Sequence, residues 1–398
     1  MLPRVLAFVF PQFHQDALND RLWGEGFTDW DSLRNAPSKN KLGLSIPRPT
    51  ELGYYDYTDL KPRQQQAQLA HEYSIDGFIF HHYWFYDKDH PGPSLHQPLE
   101  KMLVDGEPNV PFCLHWCASK WVSIWNGKVN PDFVFKEPGV LQKQYFPIND
   151  DEGEITKHYN WLKRFFHHSN YIKVAGKPVL MMYQKKPGSF PVLKILNEMA
   201  KKDGFPGLYF TVGLTKPHSH LLEIGNVNQY STKPQSLKAT MQKFPFDKVL
   251  SYPNPYEWNE IPSQKSLSVP TWCMNHGNEK GEYKRELDIV GITSSFDNTP
   301  RRNFDEAKVW SSDEPDKVVD IFRKSIYAAL YYESCCFPQE NEQRKRRSKN
   351  DDDRFIVINA MNEWAEGMAL EPSDVYGRQF LETILGAKLE ILKSGCNL

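Results

Sequence analysis

The chain has 398 residues, 48 basic and 50 acidic, for a net charge of −2. So even a balance gives no global field to attract nucleic acid or an anionic membrane, and the length suits one elaborated domain. No window approaches the roughly 20 apolar residues of a membrane span. The apolar run before Pro11 is too short for a secretory core and lacks a cleavage site. The expectation is a soluble, cytoplasmic protein without a membrane span. Six cysteines (113, 117, 273, 335, 336 and 396) match no zinc spacing. They read as mostly buried thiols in a reducing compartment, without a disulfide framework.

In chain order, apolar runs alternate with helical patterns. Residues 4–10 read as a strand, followed by a long polar and aromatic segment to about 59. A helix is expected over 61–73, a strand over 76–84, a short helix over 95–103 and a strand over 110–117. Then come a helix at 154–167 carrying Trp161, Leu162, Phe165 and Phe166 on one face, a strand at 178–183, a helix at 192–201 and a strand at 207–214. A weak sixth strand falls near 227–231 and a helix at 234–243; 272–274 or 290–295 supplies a seventh strand. A helix over 315–332, a strand over 355–360 and a closing helix over 376–392 complete the series. Such β–α alternation predicts a parallel sheet with crossover helices. Eight units predict an α/β fold closed as a (β/α)8 TIM-type barrel. One domain, 1–398, is expected, with long βα loops at 11–58, 118–152 and 296–313. Residues 339–354, QENEQRKRRSKNDDDR, hold no apolar side chain and read as a solvated, disordered loop. Lys345-Arg346-Arg347 is a weak match to a basic targeting signal.

The pivotal stretch is 355–371, FIVINAMNEWAEGMALE. A buried strand turns polar within a few residues, and in a parallel barrel active sites lie just beyond the strands' C-terminal ends. Glu363 and Glu366, three apart, either share one side of a turn as an acid and base for sugar chemistry, or are surface acids at a helix N-terminus. Asn362 and Trp364 beside them are also site-forming types. Aromatic residues make up 14% of the chain, with 11 Trp and 19 Tyr, enough to provide exposed rings for stacking on sugars. After the first strand, Trp23 to Trp30 (WGEGFTDW) is a shaped wall or a self-packed loop. In HHYWFY, 81–86, alternation sends His81 and Tyr83 to one face and His82 and Trp84 to the other. Adjacent His81 and His82 therefore cannot chelate one ion, and no metal or cofactor is expected. After the third strand, Trp116 and Trp121 are stacking rings, or a core ring and a rim ring, and Lys120 is a donor for a hydroxyl or an anion. In FDNTPRR, 296–302, Asp297 either caps a turn or joins a substrate network with Arg301.

Nine stretches carry a resemblance: FPQFH (10–14), WGEGFTDW (23–30), LGYYD (52–56), DGFIFHHYWF (76–85), PFCLHW (111–116), KQYF (143–146), YIKVAGKPVLMMY (171–183), FDNTPRR (296–302) and NAMNEWAEGMALEP (359–372). In this order, over most of the chain, they resemble the WbsX-like family of polysaccharide-biosynthesis proteins, related to family 99 of the glycoside hydrolases. The resemblance implies a (β/α)8 barrel acting on an oligosaccharide or polysaccharide. It implies Glu363 as the base that helps the sugar's own 2-hydroxyl attack the anomeric carbon. Glu366 would be the acid that protonates the leaving oxygen and then activates water. It draws Tyr54 and Tyr183 into the substrate-binding set, and implies a retaining glycosidase or transglycosidase on a mannose-like glycan. A glycosyltransferase of cell-surface polysaccharide assembly and a non-catalytic glycan-binding barrel are the alternatives. No glycine-rich phosphate loop or Asp-x-Asp motif marks a nucleotide donor site. One departure stands out: where the family usually reads Trp-Ala-Asn-Glu-Asn-Trp, this chain has Trp116-Cys117-Ala118-Ser119-Lys120-Trp121. An acid becomes Ser119, with Lys120 beside it. Phe296, where the family usually has Trp, is milder.

Overall fold

The computed structural model describes residues 2–122, 140–183, 186–214, 246–251, 289–336 and 351–395. Parallel strands form its centre: β1 (Arg4–Val9), β2 (Gly77–Tyr86), β3 (Phe112–Trp116), β4 (Lys177–Met182), β5 (Tyr209–Leu214), β6 (Lys248–Ser251), β7 (Val290–Thr293) and β8 (Phe355–Asn359). Their order across the sheet is β6-β5-β4-β3-β2-β1-β8-β7. Every adjacent pair is parallel; Ala7 of β1, for instance, lies opposite both Phe78 of β2 and Ile358 of β8. The two end strands also meet, in one parallel bridge between Leu250 and Ile289. β2 and β8 are buried along their whole length, as expected of parallel strands covered on both faces.

Helices α1 (Leu60–Glu72), α2 (Gln97–Asp105), α3 (Glu154–Phe166), α4 (Phe190–Lys202), α5 (Pro315–Tyr331) and α6 (Gln379–Lys393) return the chain between strands or close it. α3 buries Ile155, Tyr159, Trp161, Leu162, Phe165 and Phe166, the period of an amphipathic helix. The expected elements that fall on described residues agree with the observed ones to within about three residues at each end, whereas β6, at Lys248–Ser251, was not expected. Of the two candidates for the seventh strand, 290–293 is a strand; 272–274 lies outside the described residues, with the expected strand at 227–231 and helix at 234–243.

Three expectations need correction. The segment after β1 contains two short helices, Ala17–Trp23 and Asp29–Asn35. Asp16 caps the first by accepting from Leu18 and Asn19 N–H, and Thr28 with Asp31 forms a capping box on the second. The end of the charged stretch 339–354 is packed: Asp351–Asp353 form a 3-10 turn, Asp353 pairs with Lys248 at 3.0 Å, and buried Arg354 donates to the Glu333 carbonyl at 3.0 Å. Residues 339–350 lie outside the described residues. Cys113 and Cys117 are free and buried, but Cys335 is disulfide-bonded.

Candidate active site

Past the end of β8 the chain makes a short hairpin. Asn362–Glu363 pairs antiparallel with Met368–Ala369, and Trp364–Glu366 is one 3-10 turn between them. Gly367 completes it with φ of 64°, and a Cβ there would lie 2.8 Å from the Asp297 backbone nitrogen. Only glycine tolerates both conditions easily. Residues three apart nearly eclipse in a 3-10 turn, so Glu363 and Glu366 project the same way.

They project onto Arg301, which ends the 3-10 turn Thr299–Arg301. Its Nε and Nη2 donate to the two oxygens of Asp29 at 3.1 and 2.8 Å. Its Nη1 meets Glu363 Oε1 at 3.1 Å and Glu366 Oε1 at 2.9 Å. The guanidinium lies 4.8 Å from the Phe10 ring centre. One fork thus positions both acids, a geometry that a planar guanidinium supplies and an ammonium does not. Burial, followed by the nearby Glu366 charge, pushes the Glu363 carboxyl up to about 8; Arg301 opposes this without overcoming it. Glu363 therefore holds a proton at neutral pH.

The pair opens onto a cavity of about 200 Å³. Five strand ends contribute its lining: Phe10 after β1, His81 and Tyr83 on β2, Cys117 and Ser119, Lys120, Trp121 and Val122 after β3, Tyr183 after β4, and Asn359, Glu363 and Glu366 at β8. This is the carboxyl-end face on which open and closed α/β sheets bind ligands. Trp121 sits edge-on to Tyr83, with ring centres 5.4 Å apart. Ser119 and Lys120, the positions where the sequence departs from the family pattern, both line the cavity.

Of the residues singled out from sequence, the cavity gathers Glu363, Glu366, His81, Tyr83, Lys120, Trp121 and Tyr183, with Arg301 directly behind the acids. The others lie elsewhere. Trp84 is stacked on His158 at 4.5 Å on the opposite face of β2. Trp116 is fully buried and donates to the Trp84 carbonyl at 3.3 Å, on the face that alternation assigns it. Trp23 packs on Phe27, and half-exposed Tyr54 lies against Trp30 and Arg34; neither lines the cavity. Asp297 accepts from Thr299 and from Asn40 Nδ2 at 2.9 Å, the turn-capping alternative.

Asn362, Trp364 and Trp30 hold the hairpin from behind. Asn362 bonds both the N–H and the carbonyl of Phe10, at 2.8 and 3.0 Å, tying the hairpin to the end of β1. Trp364 Nε1 donates to Glu371 at 2.7 Å, and Trp30 Nε1 donates to the Tyr55 carbonyl at 2.6 Å. Glu371 also accepts from Gln66 at 2.5 Å and Tyr55 at 3.0 Å, and burial pushes its carboxyl up to about 7. Asp29, Glu371, Phe10, Cys117 and His115 were not singled out from sequence. Asp29 and Glu371 lie in motif stretches, but their partners are remote in the chain.

The parallel α/β fold is shared with solved structures. A GH99 endo-alpha-mannosidase from Bacteroides thetaiotaomicron superposes with a TM-score of 0.54 at 13% identity, covering 98% of both chains. A glycoside hydrolase-like protein gives 0.54 at 15% identity, covering 97% of this chain and 94% of its own. At these identities the likeness is one of fold. The family model "Glycosyltransferase WbsX" matches residues 5–384, and the chain belongs to that carbohydrate-active family. Two proteins called "Uncharacterized protein WxcX", from Xanthomonas campestris pv. campestris strains B100 and ATCC 33913, are each 25% identical over 391 residues. The alignment covers 96% of this chain and 49% of theirs, so the chain spans about half the length of these curated relatives. No helix among the described residues is long and apolar enough to cross a membrane.

Proposed function

We propose that this protein is a carbohydrate-active enzyme of polysaccharide metabolism, a retaining glycosidase or transglycosidase acting on a mannose-like glycan in the cytoplasm. The observation that carries the reading is the convergence of Glu363 and Glu366 on one Arg301 fork at a cavity with aromatic walls. The bridge from Leu250 to Ile289 supports closure of the eight strands into a (β/α)8 barrel around this site. The solved endo-alpha-mannosidase of like fold supports a mannose-like substrate, and the cavity is sized for about one sugar ring, below the range of pockets for larger ligands.

The reactive form is the one in which the proton of the carboxyl pair sits on Glu366: ionised Glu363 then takes the proton of the sugar 2-hydroxyl, whose oxygen attacks the anomeric carbon. Glu366 gives its proton to the departing glycosidic oxygen. In the second half Glu366 takes a proton from water or an acceptor hydroxyl, which attacks the same carbon. The 2-oxygen leaves and recovers its proton from Glu363. Two inversions give retention without a sugar bound to the protein, outside the usual pairing of a nucleophile with an acid. A carboxyl near 8 is a strong base once ionised, and general-base catalysis is most effective when the base titrates near the working pH. Lys120, beside the position where the family has an acid, favours a glycan bearing an anionic group.

The test compares wild type, Glu363→Gln and Glu366→Gln on mannose-like glycosides with poor and good leaving groups. Glu366→Gln is expected to lose roughly 10²–10⁴-fold on the poor leaving group and far less on the good one. Glu363→Gln is expected to lose activity on both. Full activity of Glu366→Gln on a natural glycan refutes the assignment. A second reading, glycosyl transfer from an activated donor, is favoured by the family's own description. Consumption of a nucleotide- or lipid-linked sugar without hydrolysis of glycans selects it. Sugar binding without any turnover selects a non-catalytic barrel.

A further inference from the structure

His81 and His115 stand opposite each other in the register of β2 and β3. Cross-strand partners share a face, and so do residues two apart on one strand. That face therefore also receives Cys117, at the end of β3. His81 Nδ1 lies 2.9 Å from His115 Nδ1. Cys117 Sγ is 3.3 Å from the first nitrogen and 3.7 Å from the second. All three side chains are buried, and His81 and Cys117 line the same cavity as the two glutamates.

We propose that His81, His115 and Cys117 form a site for one thiophilic transition-metal ion of the zinc class, with its fourth position open to the cavity. Zinc bonds of about 2.0–2.1 Å to nitrogen and 2.3 Å to sulfur put tetrahedral ligands roughly 3.3–3.6 Å apart. The observed triangle of 2.9, 3.3 and 3.7 Å is close to one face of that tetrahedron. The donor set, two imidazoles and a thiol, selects zinc-class ions over magnesium or calcium. Three protein ligands with one open position is the pattern of a reactive rather than a purely structural zinc site.

A hydrogen-bonded histidine pair accounts for part of this geometry, since one Nδ1–H could donate to the other Nδ1. The sulfur lies within hydrogen-bond reach of the same edge of both rings, where a third ligand to a shared ion would also lie. Both imidazoles are buried, and neutral imidazole is the ligating form. Burial also pushes the Cys117 thiol up, so the thiol proton must leave when the metal arrives: one thiol and one divalent ion give one metal–thiolate bond and one released proton. The Tyr83 side chain hydrogen-bonds Cys117 and is placed to support the thiolate as an outer donor.

The inference stands apart from the glycosidase reading, because its test reads metal and not turnover. The full chain, purified in reductant and stripped with a chelator, is titrated with Co²⁺ and then Zn²⁺. One equivalent of cobalt is expected, with the intense visible bands of four-coordination and a near-ultraviolet sulfur-to-cobalt band, all displaced by zinc. Cys117→Ser should abolish the sulfur band and weaken binding by about 100-fold, while Cys396→Ser leaves both unchanged. X-ray absorption of zinc-loaded wild type, which needs no variant, should show one sulfur at about 2.3 Å and nitrogens at about 2.0–2.1 Å. A wild type without a sulfur band, a band that survives Cys117→Ser, or a zinc shell without sulfur overturns the proposal.

Discussion

Glu363 should make the protein's stability depend on pH in a way that one substitution removes. Its carboxyl is raised by burial and by Glu366 from an ordinary value of 4.5 to about 8. The folded state therefore binds a proton that the unfolded chain has released between those two values. The stability contributed by this group is fully present below pH 4.5 and falls as pH rises through about 8. At roughly 1.4 kcal/mol for each pH unit in that window, the ceiling is about 5 kcal/mol. Sharing of charge with Glu366 and Arg301 leaves an expected effect of about 1–3 kcal/mol. Glu363→Gln keeps the shape and an oxygen to accept from Arg301 but cannot ionise. Urea unfolding of both proteins at pH 5 and pH 8.5 isolates the effect, because other titrating groups, such as Glu371, cancel in the difference. The variant should match wild type at pH 5 and exceed it at pH 8.5. A stability difference that does not change with pH, or a variant less stable than wild type at pH 8.5, refutes the reasoning.

Arg301→Lys should cost about 3–5 kcal/mol, as breaking a buried ion pair does, because one ammonium cannot clasp Asp29 and reach both glutamates. Its denaturation midpoint and its activity should fall together. Glu371→Ala strands the donors of Trp364, Gln66 and Tyr55, at a cost of about 3 kcal/mol or more, read by the same unfolding curve. Gly367→Ala must adopt φ of 64° against the Asp297 backbone and should lose about 1–3 kcal/mol. Activity should drop further than stability, since the turn that aims Glu366 has to shift.

Much of the architecture was legible because its signals are local. The strands at 4–9, 77–86 and 355–359 are dense in apolar and aromatic residues, and α3 and α5 carry clean helical periods. The third strand shows where such reading falls short. Alternation, applied at 81–84, correctly parted His81 and Tyr83 from Trp84. Carried on to 115–117, it separates His115 and Cys117, which face inward, from Trp116, which the structure buries on the other side. Trp116 drew attention because tryptophan so often stacks on sugars, yet residue type alone does not say which face a ring occupies.

The hairpin that carries Glu363 and Glu366 was legible for the same local reason; what controls it was not. Arg301 lies 272 positions from Asp29 and 62 from Glu363, and nothing local to FDNTPRR or FTDW marks that pairing. Asp29 opens a short helix, where an acid satisfies the helix dipole, so its position already had a sufficient explanation. Glu371 likewise falls two residues past the hairpin and reads as an ordinary polar end. Both are buried acids whose charge is tolerable only through donors supplied from distant segments. Those donors are set by how the βα loops fold over the strand ends, so a buried acid of this kind becomes recognisable only once the loops are in place.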